Sequence, residues 1–251
     1  MIELSVNING LPVIARYSQR AVDEIFLPLL QMLTEKQQKE KRRILVMLAA
    51  PPGAGKSTLL SFLEALSRER ADLCDIQAIG MDGFHRRQEY LQSHFTSRNG
   101  EQISMVKVKG APETFDLDRL TESVKRVAAG ECCGWPIYDR MLHNPVEDAL
   151  HIEKDIVLLE GNYLLLDADG WRELRTYADY TISVEADEDL LRSRLIERRI
   201  KTGVTREEAV RFVDFSDMPN VRLCQEKMMK ADLRLRVESG SLGTLSCDPL
   251  Q

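Results

Sequence analysis

Aromatic residues make up only 6% of this 251-residue chain, and its five cysteines (Cys74, Cys132, Cys133, Cys224 and Cys247) include no C-x-x-C pair. An odd cysteine count at irregular spacing does not suggest a disulfide framework, and no pair has the spacing of zinc ligands. The thiols therefore read as reduced side chains of a cytoplasmic protein. A basic excess is also missing. The formal net charge of -6 argues against a general nucleic-acid binder. No apolar run is long enough to span a bilayer, and residues 1–9 carry Glu3 and are too short for a signal peptide. The expectation is a cytoplasmic protein with neither nucleic acid nor membrane as its partner.

A composition of 43% hydrophobic and 29% charged residues suits a globular protein that can bury a core. Residues 18–33 predict a helix through Val22, Ile25, Phe26, Leu29, Leu30 and Leu33, with Pro28 as a kink or as its true start. The charged stretch "TEKQQKEKRR" (34–43) reads as a solvated helix end or a connector. From Ile44 on, short apolar runs alternate with helical patterns. "ILVML", "DIQAIGM" (75–81), "DIVLLEG" (155–161), "YTISVEA" (180–186) and "DLRLRV" (232–237) predict strands. "KSTLLSFLEALSRE", "FDLDRLTESVKRVAAG" (115–130) and "EDLLRSRLIERRIKTG" (188–203) predict helices, and Thr205 with Glu208 forms a capping box that opens another. Apolar strands alternating with helices imply an α/β fold with a parallel sheet covered on both faces.

"LVMLAAPPGAGKST" (45–58) meets the pattern G-x-x-x-x-G-K-[ST] except that Ala50 stands at the first glycine. It follows a predicted strand and opens a predicted helix, the context that a phosphate-binding loop requires. Backbone N–H groups of the loop can surround phosphates, Lys56 adds positive charge, and Ser57 offers a hydroxyl to magnesium. Pro52, Gly53, Ala54, Gly55, Lys56, Ser57 and Thr58 are thus the nucleotide-binding candidates. Alanine at position 50 is penalised only if φ there is positive.

No N-K-x-D guanine motif is present, and "SGSLG" (239–243) only faintly resembles a transporter ATPase signature. "GMDGFHR" (80–86) instead places Asp82 at the carboxyl end of a strand, where ligands of open α/β sheets bind. A carboxylate there can accept the proton of a hydroxyl attacking a γ-phosphate. Glu160 ends the run "IVLLE" and can hold magnesium directly or through water. Arg194 and Arg198 are four apart in a helix that also carries Arg192 and Arg199, so that pair projects from one side and can close over phosphates as a lid.

"PPGAGKST", "MDGFH", "KGAPETFD", "PIYDR", "LLEGNYLL" and "DMPNVRL", in that order, resemble the phosphoribulokinase, uridine kinase and pantothenate kinase superfamily over residues 44–237. Within it the chain looks nearest a bacterial branch of fructose-transport kinases. The resemblance implies a three-layer P-loop kinase fold, with a five-stranded parallel sheet, helices on both faces and an arginine-bearing lid. It implies ATP and Mg2+. It makes Asp82 the acceptor-activating base, Lys56 and Ser57 the phosphate and magnesium residues, Glu160 a further magnesium residue, and Arg194 and Arg198 the lid arginines. Tyr138 and Asp139 of "PIYDR", with His85 and Arg140, become acceptor contacts. Arg140 departs from the apolar residue common there in uridine kinases and favours a sugar or sugar derivative over a nucleoside.

The expected organisation is an N-terminal helical extension (1–43) packed on a kinase domain (44–237), followed by a loose tail (238–251). Within the kinase domain the acceptor region covers about 83–150 and the lid about 188–216. A nucleoside or pantothenate kinase, or an ATP-binding regulator without turnover, stays open as an alternative. A homodimer is admitted by the sequence but not required by it.

Overall fold

The computed structural model describes residues 1–8, 11–98, 100–237 and 245–247. The extension expected to be helical begins instead with an antiparallel hairpin, β1 (Ile2–Ile8) and β2 (Leu11–Tyr17). Its alternation is that of a half-buried ribbon: Val6, Ala15 and Tyr17 are buried, whereas Glu3, Ser5, Ile14 and Arg16 face outward. The predicted helix follows as α1 (Gln19–Ala21), a π-helical turn Val22–Phe26, and α2 (Leu27–Glu40). The widened turn absorbs Pro28, whose ring cannot fit against the carbonyl four residues back and whose nitrogen donates nothing. Tyr17, Phe26 and Phe62 meet with ring centroids 4.6–5.7 Å apart and tie hairpin, helix and core together.

The core alternates as its sequence predicts. β3 (Ile44–Ala49) is buried at every position and runs through the phosphate loop into α3 (Lys56–Arg68), whose Leu59, Phe62, Leu63 and Leu66 face inward. β4 (Ile76–Gly80) leads into a short 3-10 turn, Met81–Phe84. Next come α4 (Gln88–Ser93), the small hairpin β5 (Phe95–Arg98) and β6 (Glu101–Ser104), and α5 (Leu117–Ala128), whose N-terminus is capped by the Asp116 carboxylate. A second hairpin, β7 (Cys133–Asp139) and β8 (Asn144–Ile152), precedes β9 (Ile156–Gly161) and β10 (Tyr180–Glu185).

After β10 come α6 (Glu188–Ile200), α7 (Arg206–Phe212), a π-helical turn Val213–Asp217 and α8 (Met218–Glu226). Thr205 and Glu208 exchange both bonds of the predicted capping box. Here again the wide turn precedes a proline, Pro219, at the same six-residue offset as before Pro28. β11 (Leu233–Val237) and β12 (Leu245–Cys247) close the chain. The loose tail expected over 238–251 lies outside the described residues except for β12.

The sheet order is β12-β11-β10-β3-β9-β4. The last five strands are mutually parallel and only β12 runs antiparallel. Alternate residues of β3 pack on opposite faces: Ile44, Val46 and Leu48 meet α2, α3 and α6, while Leu45, Met47 and Ala49 meet α5, Trp135 and Tyr163. Every parallel strand therefore ends at the same edge of the molecule, and the candidate residues gather there.

Candidate active site

At the end of β3 the chain turns through the phosphate loop with two left-handed glycines, Gly53 (φ 84°) and Gly55 (φ 89°). Among the described residues, only Lys41, His143 and Asp148 have positive φ without being glycine. Ala50 is therefore unstrained. It is fully buried and its N–H donates to the Gly161 carbonyl at 3.3 Å, so the missing first glycine costs the loop nothing in dihedral freedom. α3 starts at Lys56, and the amides of its first turn have no partner within the helix, which leaves them to face whatever the loop encloses.

β9 lies between β3 and β4, with Glu160 level with Leu48 on one side and Gly80 on the other. Glu160 is 7% exposed, and its carboxylate accepts a hydrogen bond from Ser57 Oγ at 2.6 Å and has Lys56 Nζ 3.9 Å from its other oxygen. Burial pushes the Glu160 pKa up, against the opposing pull of Lys56 and Ser57, and the Asp82 charge raises it further. This is not a loop carboxylate left in solvent: it joins the phosphate loop to the strand end that leads to Asp82.

Asp82 sits on the turn after β4, two residues beyond Gly80. Gly83 has no alternative there, because a Cβ would collide with the Pro136 carbonyl of β7. Trp135 Nε1 donates to the Gly80 carbonyl at 2.9 Å, so the β7–β8 hairpin clamps the turn that carries Asp82. His85 Nδ1 lies 2.9 Å from the Asp82 carbonyl oxygen, which can only accept, so Nδ1 carries the proton. The His85 ring packs 4.0 Å from Phe115 and 5.2 Å from Tyr138 (centroid distances). Burial lowers its pKa, and the charges of Lys109 and Arg140 act in the same direction. Burial raises the Tyr138 pKa. Asp139 Oδ1 accepts from the backbone N–H groups of Met141 and Leu142, so that carboxylate shapes the hairpin turn.

The four arginines of α6 divide into two pairs. Arg192 forms a two-pronged pair with Asp214, and Arg199 lies over the Phe212 ring, both of them contacts that hold α6 to α7 and the turn after it. Arg194 reaches the Gly53 carbonyl of the loop at 3.5 Å. Arg198 makes no hydrogen bond or ion pair among the described residues; its charge acts on Asp217, whose pKa burial raises. A cavity of about 470 Å³ runs from Ser57, Glu160 and Asp82 past Tyr138 and down between α3 and β7–β8. A second, of about 310 Å³, lies on the other side of the loop against Pro51, Ala186, Gln225 and Met228.

The structure thus brings Lys56, Ser57, Glu160, Asp82, His85, Tyr138 and Arg194 to one edge of the sheet. Two contributors escaped the sequence reading: Trp135, which clamps the Asp82 turn, and Lys109, which sits at the head of "KGAPETFD" and lays its ammonium 4.7 Å from the Tyr138 ring centroid. The order of motifs pointed to the right segment, but no spacing rule singles out either side chain.

A phosphate loop, a carboxylate-bearing strand end and an arginine helix on a five-stranded parallel sheet define a P-loop kinase, a phosphotransferase that uses ATP and acts on hydroxyl groups. The comparisons agree: the sequence model of the phosphoribulokinase/uridine kinase family matches residues 45–240, and the chain belongs to that family. It is similar to Escherichia coli K12 protein YggC (uncharacterized), with 41% identity over 232 residues, 92% of this chain and 94% of that one. It is also similar to a pantothenate kinase of Shewanella piezotolerans, with 28% identity over 230 residues, 81% of this chain and 70% of the other. Among solved structures, a "putative fructose transport system kinase" from Silicibacter sp. TM1040 superposes with a TM-score of 0.70 at 30% identity, covering 82% of this chain and 98% of that one. Among the described residues, no helix is long and apolar enough to cross a membrane.

Proposed function

We propose that this kinase transfers the γ-phosphoryl group of ATP to a hydroxyl of a small polar acceptor, a sugar or sugar derivative, with Asp82 as the base. The observation that carries this reading is the convergence of Asp82 with the Lys56–Glu160–Ser57 cluster at one strand edge. Asp82 takes the hydroxyl proton as the oxygen attacks. Lys56 and the amides of Gly53 to Thr58 hold the phosphates, while Arg194 and Arg198 offset the charge that develops during transfer. Tyr138, His85 and Arg140 line the acceptor side and Asp139 sets the turn that presents them. The assignment divides the chain into an N-terminal extension (1–43), a donor and acceptor body within 44–237 (acceptor region about 83–150), and a lid (about 188–216).

Magnesium fits this donor set. Ser57 and Glu160 supply hard oxygen atoms, one of them a buried carboxylate beside the phosphate loop. Among the described residues no group of three His, Cys, Asp or Glu side chains could hold a metal. Mg2+ is commonly held by one or two protein oxygens, with water and phosphate oxygens completing its shell. Bound there, the metal would neutralise charge on the phosphates.

The test is ADP release with a panel of sugars, sugar derivatives, nucleosides and pantothenate, repeated with Asp82→Asn. Acceptor-stimulated turnover that disappears in the variant is the expected result. Turnover that survives Asp82→Asn removes Asp82 as the base. Stimulation by nucleosides or pantothenate alone moves the substrate class to those relatives. ATP binding with no acceptor-stimulated turnover would make the chain a regulator.

A further inference from the structure

The phosphate loop is backed by the helix that carries the arginines. Its first part is a tight turn, closed by the Ala54 N–H, which donates to the Pro51 carbonyl at 3.3 Å. Gly53 stands at the third position of that turn with φ 84°, a conformation that calls for glycine. Reversing the sign of that φ turns over the peptide between Pro52 and Gly53, so the same residues can close the turn in a second form with an N–H aimed elsewhere. Glycine, having no Cβ, does not by itself choose between the two forms.

The choice is made from α6. A Cβ on Gly53 would lie 3.2 Å from Leu195 Cγ and 3.3 Å from the Leu191 carbonyl oxygen, so loop and helix leave no space for a side chain between them. Leu191 and Leu195 are both buried, in the same core as Ala50, Ala54 and Leu59. Arg194 reaches the carbonyl of the same glycine at 3.5 Å. One turn of helix thus meets both the α-carbon and the carbonyl of Gly53. Ile196 is buried in that core as well, but the atoms nearest to Gly53 belong to Leu195 and Leu191.

We propose that Leu195 is a positioning residue for the phosphate loop: its side chain backs Gly53 and selects the turn in which the loop N–H groups converge on the phosphates. This rests on the reading of residues 52–58 as the nucleotide cradle and is independent of the acceptor and of Asp82. A close-packed core side chain is a stiff support. Truncating it lets the turn populate its second form, and a nucleotide that binds only the first loses affinity in proportion.

Calorimetric binding of a non-hydrolysable ATP analogue with magnesium to the full chain tests this with no acceptor present. Leu195→Ala should raise the Kd about 10-fold, the effect of a competent turn reduced to about a tenth of the population. Ile196→Ala truncates another buried side chain of the same helix. It should lower the melting temperature as Leu195→Ala does, yet change the Kd by less than about 2-fold. Leu195→Met keeps the volume and should bind as the parent does. Leu195→Val withdraws part of the same contact, should weaken binding in the same direction, and replaces the alanine variant if that protein does not fold.

A truncated variant that binds as tightly as the parent overturns the proposal. An equal loss in Ile196→Ala does so too, because the effect is then one of helix stability. A parent that binds no analogue faults the cradle itself, and the proposal with it. ADP release measured in parallel separates this proposal from the acceptor reading: weakened binding in Leu195→Ala, with no acceptor stimulating turnover of the parent, faults the transfer assignment and spares the positioning role.

Discussion

The proposed donor and acceptor halves of the site share one sheet edge but are built in opposite ways. The donor half is almost a single stretch of chain. Ala50 to Thr58 supplies the loop, the first turn of α3 and two cluster side chains, while Glu160, held by Ser57 at 2.6 Å, and Arg194, 3.5 Å from the Gly53 carbonyl, come from elsewhere. The proposed acceptor half draws Asp82, His85, Lys109, Tyr138 and Arg140 from three separate segments. It fixes them through packing: Trp135 on the Gly80 carbonyl, Pro136 against Gly83, and His85 between Phe115 and Tyr138. A loop that binds a phosphate needs backbone amides and a few glycines, so its geometry is encoded locally. A pocket that chooses among alcohols needs side chains placed by long-range contacts, and the hairpin that carries them can vary without disturbing the loop.

That difference predicts separable defects. Asp82→Asn should lower kcat by about 10² to 10⁴ while ATP still raises the melting temperature as it does in the parent. Lys56→Gln should lose turnover and the ATP-dependent stabilisation together. If both variants lose ATP binding alike, the two halves are one cooperative unit and the contrast between them fails.

Within α6 the same contrast can be sharpened. Arg194 points at the loop, whereas Arg192 is spent on Asp214 at 2.7 and 2.8 Å. Arg194→Ala should cost about 10² in kcat with little change in stability. Arg192→Ala removes an exposed ion pair and should shift stability by no more than about 1 kcal/mol, with kcat near that of the parent. Equal kinetic losses would assign the lid's effect to helix packing rather than to one guanidinium.

The uneven legibility of the fold follows from the same physics. The five parallel strands are apolar throughout because both faces are covered, and such runs stand out in any sequence. The hairpins do not. β8 (Asn144–Ile152) is exposed along most of its length, and the polar β5 and β6 could be loops on composition alone. Strand preference in such ribbons depends on what packs beneath them. The N-terminal hairpin escaped for the same reason, although Tyr17 ties it to Phe26 and Phe62. Asp82 and Glu160 were legible because each ends an apolar run. Lys109 was not, since its meaning comes from a tyrosine 29 positions away.

A smaller effect should appear in the pH dependence of stability. The His85 pKa is lowered by burial, so on acidification the unfolded chain takes up this proton first. The native state therefore keeps its full advantage above the ordinary histidine value of about 6.5 and loses it as pH falls toward the depressed value. The slope from this one group is at most about 1.4 kcal/mol per pH unit. Urea unfolding at several pH values from neutral to mildly acidic should show a shallower loss for His85→Gln than for the parent. Parallel curves would mean that the imidazole is not held neutral by its surroundings.

The least effect on catalysis is expected where the sequence departs from the usual pattern. Ala50→Gly restores the standard loop, and if the alanine were a defect, ATP affinity should improve. The structure predicts otherwise. Ala50 has no left-handed backbone to relieve, its N–H already bonds the Gly161 carbonyl, and its methyl is fully buried beside the core face that carries Leu48 and Leu59. Glycine there loses that packed methyl and adds freedom to the unfolded chain, so stability should fall by about 1 kcal/mol. The KM for ATP should stay unchanged, because the two glycines that shape the cradle, Gly53 and Gly55, lie beyond the substitution. A lower KM in Ala50→Gly would show that the first position of the loop tunes nucleotide binding after all, and that the donor half is less self-contained than its local geometry implies.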